Sequence, residues 1–333
     1  MKIAVLGAGG WGTTLAILLH RNGHNVTLWE YNPEYANTLE EYRENFYYLP
    51  KIIIPKDIKI TNDLEFAVHD KNIILVSTPT QFIRNNLKAL SNCKFKDEII
   101  VSAAKGIEND SLYLVSDIIL DVMHGTKKEK IVSLSGPSHA EEVSRRVPTA
   151  VVSASINIKT AEFIQNIFAN YYFRVYSSND LIGTEIGGAL KNVIAIAAGI
   201  SDGAGFGDNS KAALMTRGIS EIMKLGLKLK AKKETFFGLS GIGDLIVTCE
   251  SKHSRNRFVG EQIGSGKKLA VILKEMKMVA EGVATTKSAY ELSKRHKIEM
   301  PIVEEIYAIL FKDRSPHQAT KNLMTRALKP ESE

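Results

Sequence analysis

The sequence is poor in cysteine, with only Cys93 and Cys249 among 333 residues. Two cysteines so far apart argue for reduced thiols rather than a disulfide framework. The eight histidines show no His-x-x-x-His spacing with a helical carboxylate, so we expect no metal site.

Long apolar runs and strong charge are absent as well. No run reaches the roughly 18 apolar residues that a membrane span requires, so we expect none. A strand pattern begins at Lys2 without a charged leader or an apolar signal region, which favours a cytoplasmic location. The net charge of +6 is modest, so we expect anionic small ligands and no nucleic acid. A chain of 333 residues with 44% hydrophobic content predicts two globular domains.

A glycine-rich turn is the most informative pattern present. An apolar strand pattern leads into Gly-Ala-Gly-Gly-Trp-Gly at residues 7–12, and a helical pattern follows directly. In this order Gly7 permits the tight turn, Gly9 lets the backbone approach a pyrophosphate, and Gly12 lets helix and strand pack closely. The helix N-terminus then offers unpaired N–H groups to the phosphates. The sequence therefore predicts a dinucleotide-binding site.

The second predicted strand ends in an acid. Residues 25–29 form this strand, and Glu30 follows about 20 positions after Gly7. A carboxylate there can accept hydrogen bonds from the ribose of NAD and would repel the 2′-phosphate of NADP. Tyr31 and Asn32 add no compensating positive charge. We therefore predict a preference for NADH; the alternative is that Glu30 points to solvent and both cofactors are usable.

Strand and helix patterns alternate through the first half of the chain. Apolar runs predict strands at residues 2–6, 25–29, 73–76, 99–102, 131–134, 149–153 and 173–176. Helical patterns cover residues 13–20, 81–90 and 111–123. This alternation predicts an α/β, Rossmann-like, doubly wound and mainly parallel sheet, which we assign to a dinucleotide-binding domain at residues 1–178.

Helical periodicity dominates the second half. An apolar helix is predicted over residues 182–200, and a short run near Ile246 is the only candidate strand. We therefore expect residues 179–333 to form an all-α, substrate-binding and catalytic domain.

A lysine interrupts the long apolar helix of that domain. Lys191 would lose hydration there unless it is paired or lines a cavity, and Glu185, six positions earlier, is a candidate partner. Burial would lower the pKa of Lys191 toward neutrality and suit it to acid–base chemistry. The alternative is a lysine whose ammonium group reaches solvent.

A glycine-rich stretch at residues 238–248 contains Asp244, for which a helix N-cap in a loop is the simplest interpretation. Ser254, Arg255, Asn256 and Arg257 follow soon after, and an arginine fork suits a phosphate group. By themselves these four residues are typical of an ordinary surface.

Taken together, the motifs resemble the bacterial NAD(P)-dependent glycerol-3-phosphate dehydrogenases. The matching stretches are residues 7–13, 101–108, 134–142, 185–207, 238–258 and 279–282. They follow the order of the family and cover nearly the whole chain. The family interconverts dihydroxyacetone phosphate and sn-glycerol 3-phosphate, the backbone precursor of glycerophospholipids. The resemblance implies that activity here, while the oligomeric state stays open, with a homodimer as one option.

The resemblance also implies roles for single positions. Lys191 would donate the proton to the ketone oxygen, with Lys105 and Asp244 beside it as catalytic residues. The implied substrate contacts are Lys105, Gly136, Ser138, Lys191, Asn192, Asp244, Thr248 and the phosphate-clamp residues Ser254, Arg255 and Asn256. The implied cofactor contacts are Gly7, Gly9, Gly10, Trp11, Gly12, Glu30, Tyr31, Lys105, Ala140, Arg255, Val279 and Glu281.

The chain departs from the family at two cofactor positions. Many bacterial members carry serine where this chain has Gly10. Members that use NADPH often carry arginine just after the second strand, where this chain has Glu30 and Tyr31. The second departure supports the predicted preference for NADH.

Two other functions stay open at this point. One is a related two-domain dehydrogenase acting on a β-hydroxy acid or a sugar acid, whose substrate would need arginines for a carboxylate rather than for a phosphate. The other is a non-catalytic NAD-binding sensor. A sensor has no need of Lys105, Lys191 and Asp244 together, so their joint presence argues against it.

Overall fold

The computed structural model describes residues 1–91, 93, 95, 97–276 and 278–331. Within these residues the strands are β1 (Lys2–Leu6), β2 (Asn25–Trp29), β3 (Glu44–Asn45), β4 (Leu49–Ile53), β5 (Lys59–Thr61), β6 (Ile73–Val76), β7 (Ile99–Ser102), β8 (Ile131–Ser135), β9 (Thr149–Ala154) and β10 (Phe173–Ser178).

Helices join these strands and form all of the regular structure after β10 in the described part of the chain. They are α1 (Gly10–Arg21), α2 (Pro33–Tyr42), α3 (Leu64–Val68), α4 (Thr80–Lys88), α5 (Val115–Val122), α6 (Ala140–Val143), α7 (Ile158–Phe168), α8 (Leu181–Gly203), α9 (Asp208–Lys228), α10 (Asp244–Glu250), α11 (Arg255–Gly264), α12 (Leu269–Glu275), α13 (Glu281–His296), α14 (Pro301–Phe311) and α15 (Pro316–Met324). Short 3₁₀ turns lie at Lys128–Lys130 and Lys233–Phe237, and a π-type turn at Leu239–Gly243 leads into α10.

Eight strands form one sheet in the order β10-β9-β8-β7-β6-β1-β2-β5. Neighbouring strands are parallel except for β8 and β9, so β9 and β10 run opposite to the other six. The predicted Rossmann-like sheet with a helical second half is confirmed. The sequence analysis missed β5 and the separate antiparallel hairpin of β3 and β4.

Alternating side chains of the strands supply two apolar layers. Ile3 and Val5 of β1 belong to one buried cluster with residues of α1 and α7. Ala4 and Leu6 face the other side, in a cluster with residues of α4 and α5. This period of two is what a strand buried on both faces produces. Because β6, β7 and β8 are parallel, the loops that follow them leave the sheet at its common carboxyl edge.

Helix α8 is the centre of the helical half. It is long and apolar enough to cross a membrane, but 94% of its most apolar window is buried inside the protein. Residues of α9, α10, α11, α13 and α14 share its apolar cluster. The apolar helix expected over residues 182–200 is therefore a core helix, and its hydropathy reflects burial among other helices.

Two local expectations are wrong. The region around Ile246 is helical: Leu245, Thr248 and Cys249 are buried while Ile246 is exposed, the spacing of a helix with one buried face. The helix predicted from residue 111 begins only at Val115, because Leu112 has a positive φ that a right-handed helix cannot include.

Candidate active site

Three side chains from three separate elements meet in a buried cluster. Asp244, the first residue of α10, is fully buried, and Lys105 in the loop after β7 donates a 2.8 Å hydrogen bond to its Oδ2. Lys191, in the middle of α8, donates to its Oδ1 and, at 2.8 Å, to the Thr248 hydroxyl. Thr248 lies one turn after Asp244 on the same face of α10 and donates to the Asp244 carbonyl at 2.6 Å.

This cluster corrects two expectations. Glu185 is not the partner of Lys191, because residues six apart project from different faces of a helix. The Glu185 carboxylate instead accepts hydrogen bonds from the backbone and hydroxyl of Ser116, at 2.8 and 2.6 Å. Asp244 is not an N-cap in a loop: it lies within α10, and its side chain binds the two lysines.

The cluster shifts the pKa values of its buried groups. Burial lowers the pKa of Lys191 to about 8, although the carboxylate beside it favours the charged form. Burial alone would raise the pKa of Asp244, but the two neighbouring ammonium groups hold that pKa below its ordinary value. The site therefore contains a lasting negative charge beside a lysine that can gain or lose a proton near neutral pH.

The loop after β8 contacts the same cluster. The carbonyl of Gly136 accepts hydrogen bonds from Lys105 Nζ at 3.0 Å and from the Ser138 hydroxyl at 2.9 Å. Gly136 has φ +140°, and a Cβ there would lie 2.9 Å from the Cα of Val151. Only glycine fits this bend, which turns the loop toward Lys105.

Two asparagines connect the cluster to the predicted phosphate clamp. The amide of Asn192, next to Lys191, donates to the Lys105 carbonyl at 3.1 Å. The amide of Asn256 donates to Asn192 Oδ1 at 2.9 Å, and the Gly282 N–H donates to Asn256 Oδ1 at 2.9 Å. This chain of bonds sets α11 at a fixed distance from Lys105 and Lys191.

The remaining clamp residues lie at the start of α11. The Ser254 hydroxyl caps this helix by accepting the Arg257 N–H at 3.2 Å. Arg255 is exposed and donates to the carbonyl of Val279 at 3.0 Å. Arg257 binds Asp202 at 2.6 Å, so its guanidinium is already occupied. Arg255 is therefore the arginine of this pair that can reach a ligand.

The glycine-rich turn has room for a diphosphate. Gly7 has φ +113°, and a Cβ on Gly12 would lie 1.9 Å from the Gly7 carbonyl oxygen, so neither position tolerates a side chain. A Cβ on Gly9 would meet no protein atom within 4 Å. The open side at Gly9 and the N-terminus of α1 together fit the pyrophosphate of a dinucleotide.

The other predicted cofactor residues surround this turn. A Cβ on Gly10 would lie 3.8 Å from the Ala140 side chain, and Trp11 packs against the apolar layer below the turn. Glu30 is buried, accepts the Asn32 N–H at 3.1 Å and has a pKa raised by burial. Glu30 therefore does not point to solvent, whereas Tyr31 is 70% exposed.

Glu281 joins the two halves of the molecule. It is the first residue of α13, and its Oε1 accepts the backbone N–H of Thr80 at 2.7 Å and the Thr80 hydroxyl at 3.0 Å. Thr80 starts α4 at the same sheet edge as Lys105 and was missed in the sequence analysis. Its available signal was a hydroxyl after Pro79, directly behind a predicted strand. Among the described residues, no group of three or more His, Cys, Asp or Glu side chains could hold a metal ion.

Comparison with known proteins identifies the family. Models of the NAD-dependent glycerol-3-phosphate dehydrogenase N-terminus and C-terminus match residues 2–161 and 180–321. Glycerol-3-phosphate dehydrogenases [NAD(P)+] of Thermoanaerobacter sp. and Chlorobium luteolum are 51% and 49% identical over 331 residues, covering 99% of this chain and 99% of each relative. This chain belongs to the NAD-dependent glycerol-3-phosphate dehydrogenase family.

A solved structure of glycerol-3-phosphate dehydrogenase from Coxiella burnetii has a closely similar fold. It has a TM-score of 0.93 and 35% sequence identity, and the match covers 98% of this chain and 99% of that one. Membership in the glycerol-3-phosphate dehydrogenase family confirms the predicted enzyme class and the use of a nicotinamide cofactor.

Proposed function

We propose that this chain interconverts dihydroxyacetone phosphate and sn-glycerol 3-phosphate, with NADH preferred over NADPH. The observation that carries the proposal is the buried cluster of Lys105, Lys191 and Asp244 at the edge of a dinucleotide-binding sheet. In this proposal residues 1–178 bind the cofactor, and residues 179–333 supply most of the substrate contacts.

Each member of the cluster has a role in ketone reduction. A bound nicotinamide supplies the hydride, and the protein must provide one proton and stabilise the charge that forms on the oxygen. Lys191, with its pKa near 8, donates that proton. Lys105 adds a second positive charge, and Asp244 holds both ammonium groups in place.

The substrate phosphate is assigned to the start of α11. Arg255, Asn256 and Ser254 lie there, and the chain of asparagine bonds links them to Lys105. A grip on the phosphate supplies binding energy that orients the carbonyl next to Lys191. Gly136 and Ser138, in the loop that contacts Lys105, are assigned as further substrate contacts.

The preference for NADH rests on Glu30. Its carboxylate is buried at the end of β2, next to the glycine-rich turn, where an adenosine ribose lies in this fold. A 2′-phosphate would bring negative charge to this carboxylate, and neither Tyr31 nor Asn32 offers a cation. Burial raises the pKa of Glu30, but hydrogen bonds from backbone N–H groups favour its charged form.

We expect the purified protein to oxidise NADH with dihydroxyacetone phosphate and to give a lower kcat/KM with NADPH. Steady-state rates with both cofactors at one ionic strength measure the ratio. The paired variant Glu30→Ser/Tyr31→Arg should move the ratio toward NADPH. Activity on a β-hydroxy acid but not on the phosphorylated ketone would contradict the substrate assignment, and NADH binding without turnover would indicate a sensor. An unchanged cofactor ratio in the paired variant would remove Glu30 from its proposed role.

A further inference from the structure

A small hairpin covers the glycine-rich turn and has no role in the function described above. It consists of β3, β4 and the three residues between them. The carbonyl oxygen of Tyr48, in this connection, lies only 2.6 Å from the place that a Cβ on Gly10 would occupy. The hairpin therefore packs against Gly10 at the start of α1, while the turn stays open at Gly9, and glycine at position 10 is what allows this contact.

One side chain of the hairpin is bonded to the turn itself. Asn45, the last residue of β3, is fully buried. Its Nδ2 donates to the carbonyl of Ala8 at 2.7 Å and to the hydroxyl of Thr13 at 2.8 Å. Ala8 lies between Gly7 and Gly9, whereas Thr13 lies in the first turn of α1. Asn45 thus connects the two ends of the segment that is shaped to bind a diphosphate.

The orientation of the Asn45 amide is fixed from the other side. Its Oδ1 accepts the Tyr35 hydroxyl at 2.6 Å and the Tyr48 N–H at 3.1 Å. Both amide hydrogens and both acceptor positions are therefore used, so the amide cannot turn over without losing bonds. Burial raises the pKa of Tyr35 to about 12, which keeps its hydroxyl a donor throughout the neutral range.

We propose that Asn45 is a positioning residue for cofactor binding: through Ala8 and Thr13 it holds the glycine-rich turn in the shape that receives the pyrophosphate. This inference rests on the proposed function, because that reaction requires a nicotinamide cofactor bound at this turn. The hairpin would thus help to shape the turn, a role that the residues of the G-x-G-x-x-G motif do not perform by themselves. Without the amide, the turn has more conformations to lose on binding, and the cofactor affinity falls.

The test compares Asn45→Ala with Asn22→Ala. Asn22 lies at the other end of α1 and also donates to two backbone carbonyls, those of Ile167 and Phe168 at 2.9 and 3.1 Å. NADH affinity is measured by fluorescence titration, ADP-ribose affinity by its displacement of NADH, and folding by Tm. In Asn45→Ala the Kd values for NADH and ADP-ribose should rise about tenfold, as expected for two lost hydrogen bonds. The kcat at saturating NADH should stay within about twofold, because the turn does not touch the ketone.

The control separates positioning from simple destabilisation. Asn22→Ala should lower Tm without changing either Kd. If both variants weaken NADH binding equally, or if folded Asn45→Ala binds NADH with the Kd of the wild type, the inference is wrong. Should Asn45→Ala fail to fold, Tyr35→Phe decides: a Kd for NADH raised about threefold supports the inference, and an unchanged Kd overturns it. Failure of the wild type to bind NADH would instead contradict the proposed function itself.

Discussion

At the scale of single residues, the burial of Lys191 matters most, because it converts an ordinary strong base into a group that titrates near pH 8. Asp244 favours the charged form of Lys191 below that pH, since its carboxylate lies directly against the Lys191 ammonium group. Removing the carboxylate would leave two lysines facing each other without compensation. Lys191 and Asp244 therefore act as a unit, because the buried charge of each is compensated by the other.

Replacing Lys191 by alanine should lower kcat by ~10²–10⁴-fold, because a positioned general acid is lost. NADH binding should persist, since the glycine-rich turn is separate from α8.

In the wild type, kcat for ketone reduction should fall as pH rises above about 8, where Lys191 loses its proton, and the alcohol oxidation rate should rise over the same interval. Rates in both directions between pH 6 and 10, roughly two units on either side of that pKa, provide the measurement.

Lys211→Ala is the matched control for Lys191→Ala. Lys211 also lies in the helical half and binds two carboxylates, those of Asp202 and Glu250, but it is outside the cluster. Its loss should leave kcat and the pH profile nearly unchanged. A Lys191→Ala enzyme with near-normal kcat would show that Lys191 has only a structural role.

At the scale of elements, a buried carboxylate joins α8 to α5. Glu185 accepts the N–H and hydroxyl of Ser116 in the first turn of α5, where the helix dipole favours negative charge. Burial nevertheless raises the pKa of Glu185 to about 7, because these two bonds replace its lost hydration incompletely. Among charged side chains, Asp117 raises this pKa further and Lys128 lowers it. The two bonds from Ser116 favour the ionised carboxylate, but the cost of burying its charge is larger, so the protonated form persists in the folded protein up to about pH 7.

The stability of the protein should depend on this group in a defined direction. The folded-state pKa is above the unfolded value of roughly 4.3, so the contribution of this group to stability falls as pH rises from about 4.5 to about 7 and changes little above that. Glu185→Gln keeps the shape without the titration. Relative to the wild type it should gain stability between pH 5 and 8, on the order of 1–3 kcal/mol, as measured by urea unfolding.

Glu129→Gln serves as the comparison for Glu185→Gln, because Glu129 is an exposed carboxylate in the 3₁₀ turn before β8. Its unfolding free energy should follow the wild type at every pH. Parallel pH curves for Glu185→Gln and the wild type would mean that Glu185 titrates normally in the folded state.

At the scale of the whole molecule, the candidate site exists only where the two halves meet. Lys105 and Gly136 come from loops at the carboxyl edge of the sheet, whereas Lys191, Asp244 and Arg255 come from the helical half. Glu281 and Asn192 cross the same boundary through Thr80 and the Lys105 carbonyl. A substrate held by Arg255 and reduced beside Lys191 and Lys105 would therefore contact both halves at once.

Removing Arg255 should therefore act on substrate orientation as well as on affinity. In Arg255→Ala, kcat/KM for dihydroxyacetone phosphate should fall roughly 10- to 100-fold, the value of one charged hydrogen bond. Unphosphorylated dihydroxyacetone should be a poor substrate for the wild type and little affected by the change. Arg257→Ala is the neighbouring control, because that guanidinium is bound to Asp202 and its loss should not alter the ratio between the two substrates. Equal losses on both substrates in Arg255→Ala would show that Arg255 does not bind the phosphate.

Much of the fold could be predicted because its signals are local. The strands β1, β6 and β7 consist almost entirely of apolar residues, and the glycine-rich turn stands at the expected place after β1. Short or half-exposed elements such as β3 and β5 carry no such pattern and were missed. The reversed direction of β9 also has no local signal, because strand direction depends on how the chain returns to the sheet.

The sequence by itself determined the dinucleotide turn, the sheet and its helical partner, because glycine freedom and side-chain periodicity act between neighbours along the chain. Only the tertiary structure decided that Lys191 binds Asp244 rather than Glu185, and that Asn45 holds Ala8 and Thr13. The residues in these contacts lie tens of positions apart, and local spacing contains no information about which distant polar groups burial will bring together. The desolvation of those groups then makes their pairing obligatory, because a buried charge or amide without a partner is too costly to keep.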